Sequence, residues 1–144
     1  MKVHLPSFPS PPPSLTDYTP TVIHLILTPS DGQTQLPFVL KGQTPPANVR
    51  NKDADAIATC NYSDPPKAIV FGGGYSDEDV KIMREACQGF GEGVVWLRPD
   101  LSVLTPPFEE KEKYGMHMVT RVREALGRVV DAGRDGEGRE IVWY

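Results

Sequence analysis

The stretch Lys67-Ala68-Ile69-Val70-Phe71-Gly72-Gly73-Gly74-Tyr75-Ser76-Asp77-Glu78-Asp79-Val80 constrains the fold more than any other part of the chain. A short apolar run meets a glycine turn and passes at once into a capped helix. Ser76 is placed to accept the amides of the first turn, and Asp79 three residues on is placed to bond back, the pattern of a capping box. Val80, Met83, Cys87 and Phe90 then recur at helical spacing, with Asp79, Lys81, Arg84 and Glu85 on the other faces. Gly89, Gly91 and Gly93 end that helix, and Val94-Val95-Trp96-Leu97 reads as a strand covered on both faces. Arg98-Pro99-Asp100 closes the strand, because proline cannot continue a central ladder. The segment is therefore a βαβ unit of near-minimal length, with two parallel strands and a right-handed crossover.

The chain beyond it continues the alternation. Residues 109–131 form the longest predicted helix, with Met118, Val122, Ala125, Leu126, Val129 and Val130 on one face and Arg121, Arg123, Glu124 and Arg128 on the polar face. Gly133, Gly136 and Gly138 break it, and residues 140–144 close as a strand. The expected order over residues 67–144 is βαβαβ: strand 67–72, helix 77–90, strand 94–98, helix 109–131, strand 140–144. The fold class is α/β, a three-layer Rossmann-like sandwich with a mostly parallel sheet and an irregular proline-rich N-terminal half.

That half is different in composition. Twelve of the fifteen prolines precede Lys67; residues 1–66 carry four Lys/Arg and five Asp/Glu, and residues 67–144 carry eleven and fourteen. So irregular a segment makes a poor core by itself, so residues 1–144 are read as one domain. Lys2–Leu5 is a candidate strand, and residues 7–20 have polyproline character. Thr21–Thr28 reads as a strand, Pro29–Gln33 as a turn and Thr34–Leu40 as a returning strand, at an edge because of Pro37. Asp55–Cys60 is ambiguous between a strand and a helical turn.

Composition excludes several functions. The net charge of −4 argues against a nucleic-acid partner. No apolar run reaches the roughly 18 residues of a membrane span, and Met1–Pro6 lacks a signal-peptide core. Cys60 and Cys87 have no spaced partners, so reduced thiols in a cytoplasmic protein are expected, with Cys87 in the core.

The chemistry is less legible. Gly72-Gly73-Gly74 could cradle a phosphate at the helix N-terminus. Gly72 and Gly74 match the first two positions of G-x-G-x-x-G, the third falls on Asp77, and Arg98 and Asp100 lie near where a ribose contact is expected. Over residues 67–100 the chain is similar to a nicotinamide-dinucleotide Rossmann half. Yet Asp77-Glu78-Asp79 puts three acidic residues where a pyrophosphate would sit, so NAD(P) is disfavoured and no cofactor is expected. A short-chain dehydrogenase needs a lysine four residues after its tyrosine, and Tyr114 is followed there by Met118. Ser76 lacks the closing glycine of a nucleophile elbow. His117, seven residues from both Glu110 and Glu124, reads as a helix-surface histidine. His4 and His24 fall on strands, and no spacing suggests a metal.

Residues 67–144 also resemble small fungal α/β proteins described as NAD(P)-binding. That resemblance implies a Rossmann-like fold and brings no active site with it. The expectation is a non-catalytic module binding a small ligand or a partner chain. The candidate site is Gly72, Gly73, Gly74, Tyr75, Ser76, Arg98 and Asp100. The alternatives are a small enzyme of specialised metabolism using the same strand ends, and a degenerate dehydrogenase-like domain. The apolar Ile141-Val142-Trp143-Tyr144 further suggests a homodimer through the terminal strand.

Overall fold

The computed structural model describes residues 2–4, 20–131 and 141–144. The polyproline segment and the glycines that end the long helix lie outside the described residues. The elements in order are β1 (Lys2–His4), β2 (Thr21–His24), α1 (Pro29–Leu40), α2 (Lys52–Asp55), β3 (Ala68–Val70), α3 (Asp77–Ala86), β4 (Val95–Arg98), α4 (Lys111–Asp131) and β5 (Ile141–Trp143), with a 3-10 turn at Ala47–Val49. The five strands form one sheet in the order β2-β1-β3-β4-β5. β3, β4 and β5 are parallel, and β1 lies antiparallel between β2 and β3.

The strands sort their side chains onto two faces, as a doubly covered sheet requires. Ala68 and Val70 of β3, with Val95 and Leu97 of β4, pack against Val122, Ala125, Leu126 and Val129 of α4. Their neighbours Ile69, Phe71, Val94 and Trp96 face the other way. They meet Leu36 and Leu40 of α1 and Val80, Met83 and Cys87 of α3. The expected apolar stripes of α3 and α4 therefore face the core, and Cys87 is buried in it. Full burial of a residue such as Leu97, 0% exposed, stabilises by about 1.5–3 kcal/mol.

The hairpin expected at Thr21–Leu40 does not form. β2 ends at His24, and Pro29–Leu40 is a helix, not a turn and a returning strand. Thr28 accepts the Asp31 amide at 3.1 Å as the N-cap, and Pro29 stands at the first helical position, where no amide is needed. Gly32, Gln35, Leu36, Val39 and Leu40 are its buried residues, an i, i+3, i+4, i+7, i+8 face. Pro37 lies inside this helix and is not an edge-strand marker. The ambiguous segment is helical up to Asp55, and then Thr59 and Cys60 donate their amides to Val22 and Ile23 at 2.9 and 3.0 Å. Those bonds cover the outer edge of β2.

A second correction concerns Arg121. Helical spacing places it on the polar face of α4, and the structure buries it. Its guanidinium donates to the main-chain oxygens of Asp100, at 3.0 Å, and Tyr144. α4 thus meets the carboxyl ends of β4 and β5 at Arg121. None of residues 111–120 is buried, so this part of the helix overhangs the strand ends.

Candidate functional site

The loops after β3 and β4 and the overhanging start of α4 meet at the carboxyl ends of the parallel strands, where open α/β sheets place ligands. The capping box expected from Ser76 and Asp79 is present. Ser76 Oγ accepts the Asp79 amide at 3.1 Å, and Asp79 Oδ2 accepts the Ser76 amide at 2.8 Å. The Ser76 amide and hydroxyl, both donating to Asp79 Oδ2 at 2.8 Å, hold the Asp79 carboxyl below its ordinary value.

The other polar residues of the expected site are also committed to the protein. Arg98 pairs with Asp77, donates to the Tyr75 carbonyl at 3.1 Å, and lies 5.3 Å from the Trp143 ring. The Tyr75 hydroxyl donates to the Ile26 carbonyl at 3.1 Å, and its ring meets Phe71 edge-on at 5.4 Å. Burial, then the charges of Asp31 and Asp79, push the Tyr75 phenol up. The Asp100 carboxylate accepts from Ser102 Oγ at 2.6 Å and from the Ser102 amide at 2.9 Å, bonds that lower its pKa. Two of the three acidic groups of the first turn are thus answered internally, and Glu78 is left exposed.

Gly72, Gly73 and Gly74 differ from all of these. All three are exposed, and none adopts the left-handed conformation taken by Gly42, Gly89, Gly91 and Gly93. A Cβ at Gly72 or Gly74 would meet nothing within 4 Å, and one at Gly73 would meet only the tip of Leu101 at 3.3 Å. The three form an open ledge of main chain.

Tyr144, buried in the core, is tied to the residue before the ledge: its hydroxyl donates to the Phe71 carbonyl at 2.5 Å. Burial pushes its phenol up to about 12; Arg121 opposes that shift and Tyr114 adds to it. Tyr114, His117 and Arg121 follow at helical spacing on one face of α4. Phe108, from the β4–α4 loop, meets Tyr114 edge-on at 5.4 Å. His117 is half-buried rather than a surface residue, and its Nε2 is buried with no hydrogen-bond partner among the described residues. Leaving a buried polar atom unpaired costs about 1–3 kcal/mol. The sequence reading missed this residue, because its burial depends on the overhang of α4. Leu101, whose tip reaches Gly73, is 76% exposed, and Leu104 and Phe108 of the same loop are 92% and 69% exposed.

A separate polar network lies beneath β2. His24 Nδ1 is 2.9 Å from the Tyr62 hydroxyl, His24 Nε2 is 2.6 Å from Gln35 Oε1, and Gln35 Nε2 donates to the Val49 carbonyl. Buried groups bonded in this way serve the core rather than a ligand. Among the described residues no group of His, Cys, Asp and Glu could hold a metal ion, and no helix is long and apolar enough to cross a membrane.

The chain is 28% identical over 113 residues to "Kojic acid related protein 6" of Aspergillus oryzae (strain ATCC 42149 / RIB 40). The aligned region covers 78% of this chain and 64% of that protein, so the chain spans just under two thirds of the relative's length. No family model matches the chain, and no solved structure matches it significantly. The likeness to a fungal protein agrees with the expected resemblance; a Rossmann-like character is not carried by it.

Proposed function

We propose that this chain is a Rossmann-like three-layer module that binds a small ligand at the carboxyl ends of its parallel strands and acts by binding rather than by catalysis. The glycine ledge carries this reading. Neither backbone conformation nor packing requires glycine at positions 72 and 74, and the remaining physical use of glycine is close approach of another molecule to the main chain. The enzyme alternative is weaker, because the polar groups of Tyr75, Ser76, Arg98 and Asp100 are already bonded within the protein.

A dinucleotide suits the ledge poorly. Asp79 occupies the helix N-terminus, Arg98 answers Asp77, and exposed Glu78 faces any phosphate. NAD and NADP should bind no more tightly than about 1 mM. The name of the fungal relative makes kojic acid, a small hydroxylated pyranone, the first compound to test. Titration of 15N-labelled protein should move the Gly72–Gly74 amides with kojic acid and leave them in place with NAD. Micromolar binding of NAD, or ledge amides that stay fixed with kojic acid and with other small polar ring compounds, overturns the reading.

A second reading rests on β5. It is the outermost strand, and Trp143 is 52% exposed on it, so two copies could pair through this edge. Because Tyr144 is buried in the core, truncation would unfold the protein, and Trp143→Glu is the appropriate variant. A full-length chain that sediments as a monomer at tens of micromolar rules the dimer out.

A further inference from the structure

The parallel register of β5 against β4 fixes which of its main-chain groups point out of the sheet. Tyr144 donates its amide to the Arg98 carbonyl at 2.9 Å and accepts from the Asp100 amide at 2.6 Å, so its polar groups are turned toward β4. Bonding direction alternates along a strand, and Trp143 stands opposite Arg98 in the register. The amide and carbonyl of Trp143, and those of Ile141 two residues earlier, therefore point away from β4 at the outer edge of the sheet. The two edges of the sheet are closed in different ways. At β2 the Val22 and Ile23 carbonyls accept the amides of Thr59 and Cys60, a cover made of main chain. At β5 the outward Trp143 carbonyl accepts from one side chain, the Arg128 guanidinium, at 3.2 Å. Arg128 is exposed near the end of α4, so a change of rotamer bares the carbonyl without moving any element.

We propose that Arg128 is a removable cap on the β5 edge, and that the strand it holds off is the β5 of a second copy of this chain. The proposal rests on the second reading of the function, that this edge can pair, and adds what controls the pairing. A second copy fits because the edge is self-complementary. Laid antiparallel about a two-fold axis through Val142, Trp143 of one strand stands opposite Ile141 of the other, and each pair exchanges both of its main-chain bonds. Both residues of the pair lie on one face of the sheet, where an aromatic ring beside a β-branched side chain stabilises the contact. Arg98 stacks on the Trp143 ring at 5.3 Å and fixes it there, with the residue still 52% exposed. The acceptor that this pairing requires is the Trp143 carbonyl, the oxygen that Arg128 occupies. Charged side chains on an edge strand are a general means of keeping it unpaired.

The test is sedimentation of the full-length parent, Arg128→Ala and Arg128→Lys from about 10 to about 500 μM, with amide hydrogen exchange on the same samples. Arg128→Ala should self-associate about tenfold more tightly than the parent, because pairing no longer displaces a charged hydrogen bond. In its dimer the Ile141 and Trp143 amides should become protected. Arg128→Lys keeps a charged donor and should stay within about threefold of the parent. A parent that stays monomeric while Arg128→Ala dimerises with both amides protected supports the cap. Equal association of parent and Arg128→Ala, with both amides protected, overturns the cap and leaves the strand pairing standing. Monomers of both across the whole range overturn the cap and the pairing together. Weaker association of Arg128→Ala makes Arg128 a contact of the interface, and a dimer that leaves the two amides unprotected forms through another surface; either result overturns the proposal.

Discussion

Replacing Gly72 and Gly74 with alanine should make the protein more stable and, at the same time, unable to bind. Glycine is ordinarily kept for a backbone that only it can adopt or for a space that admits no side chain. Neither reason holds here: both residues have ordinary backbone angles, and a Cβ at either meets nothing within 4 Å. Alanine then acts on the unfolded chain, removing conformational freedom, and each substitution should add about 0.4–1 kcal/mol. The double variant should gain about 1–2 kcal/mol, or several degrees in thermal midpoint for a domain of this size. Gly32 and Gly91 are internal controls. A Cβ at Gly32 would strike the Met83 sulfur between α1 and α3, and Gly91 has φ +78° with Leu40 Cδ1 at 2.8 Å. Alanine at either should cost about 1–3 kcal/mol. The assay is urea or thermal denaturation of the four proteins beside titration with kojic acid. A double variant that is less stable than the parent would refute the argument, because the ledge would then be structural.

Two further outcomes follow from the bonds at the strand ends. Ser76→Ala should cost about 1 kcal/mol by urea denaturation. Because Asp79 has a folded pKa below its unfolded value, its contribution is present at neutral pH and is lost as pH falls through the folded pKa; the parent and Ser76→Ala should therefore converge in acid. The phenol of Tyr144 is raised to about 12, so its contribution is complete below the unfolded value near 10 and disappears as pH climbs from there to about 12. Tyr144→Phe should flatten that alkaline loss, and an unchanged pH profile would show that the phenol is not held neutral by the fold.

The unit from β3 to β4 was legible because its signals are local. An apolar run, a glycine turn and a serine–aspartate cap lie within fourteen residues, and each specifies the same structure. The stripe on α4 was legible for the same reason. α1 was misread because Gly32 and Gln35 occupy its buried face, which broke the apolar period and left an alternation resembling a strand. Thr28-Pro29 was the helix-start signal that could have corrected this. The burial of Arg121 could not be read, since it depends on two main-chain oxygens, at Asp100 and Tyr144, that only the fold brings to it. The same holds for His117, whose sequence neighbours say nothing about the loop and overhang around it. Of the candidate site, the glycines and their place after β3 were readable, and the bonds that tie α4 to the strand ends were not.

Arg98 is where frame and recognition separate experimentally. It looked from sequence like a ligand contact, and the structure uses it as a strut tying the Tyr75 carbonyl, Asp77 and Trp143 together. Its bond to the carbonyl is a charged one, of about 1.5–3 kcal/mol; the stacking on an exposed ring adds about 0.5–1 kcal/mol. The pair with Asp77 adds little, because that carboxylate is 94% exposed. Arg98→Ala should therefore destabilise the protein by about 2–4 kcal/mol and weaken ligand binding as well, since the loop carrying the ledge loses its anchor. Arg98→Lys keeps the charge without the planar fork and should fall between. Chemical denaturation and ligand titration of the parent and the two Arg98 variants show whether the two losses travel together. If Arg98→Ala kept the parent's denaturation midpoint and lost the ligand entirely, Arg98 would be a direct contact rather than a strut.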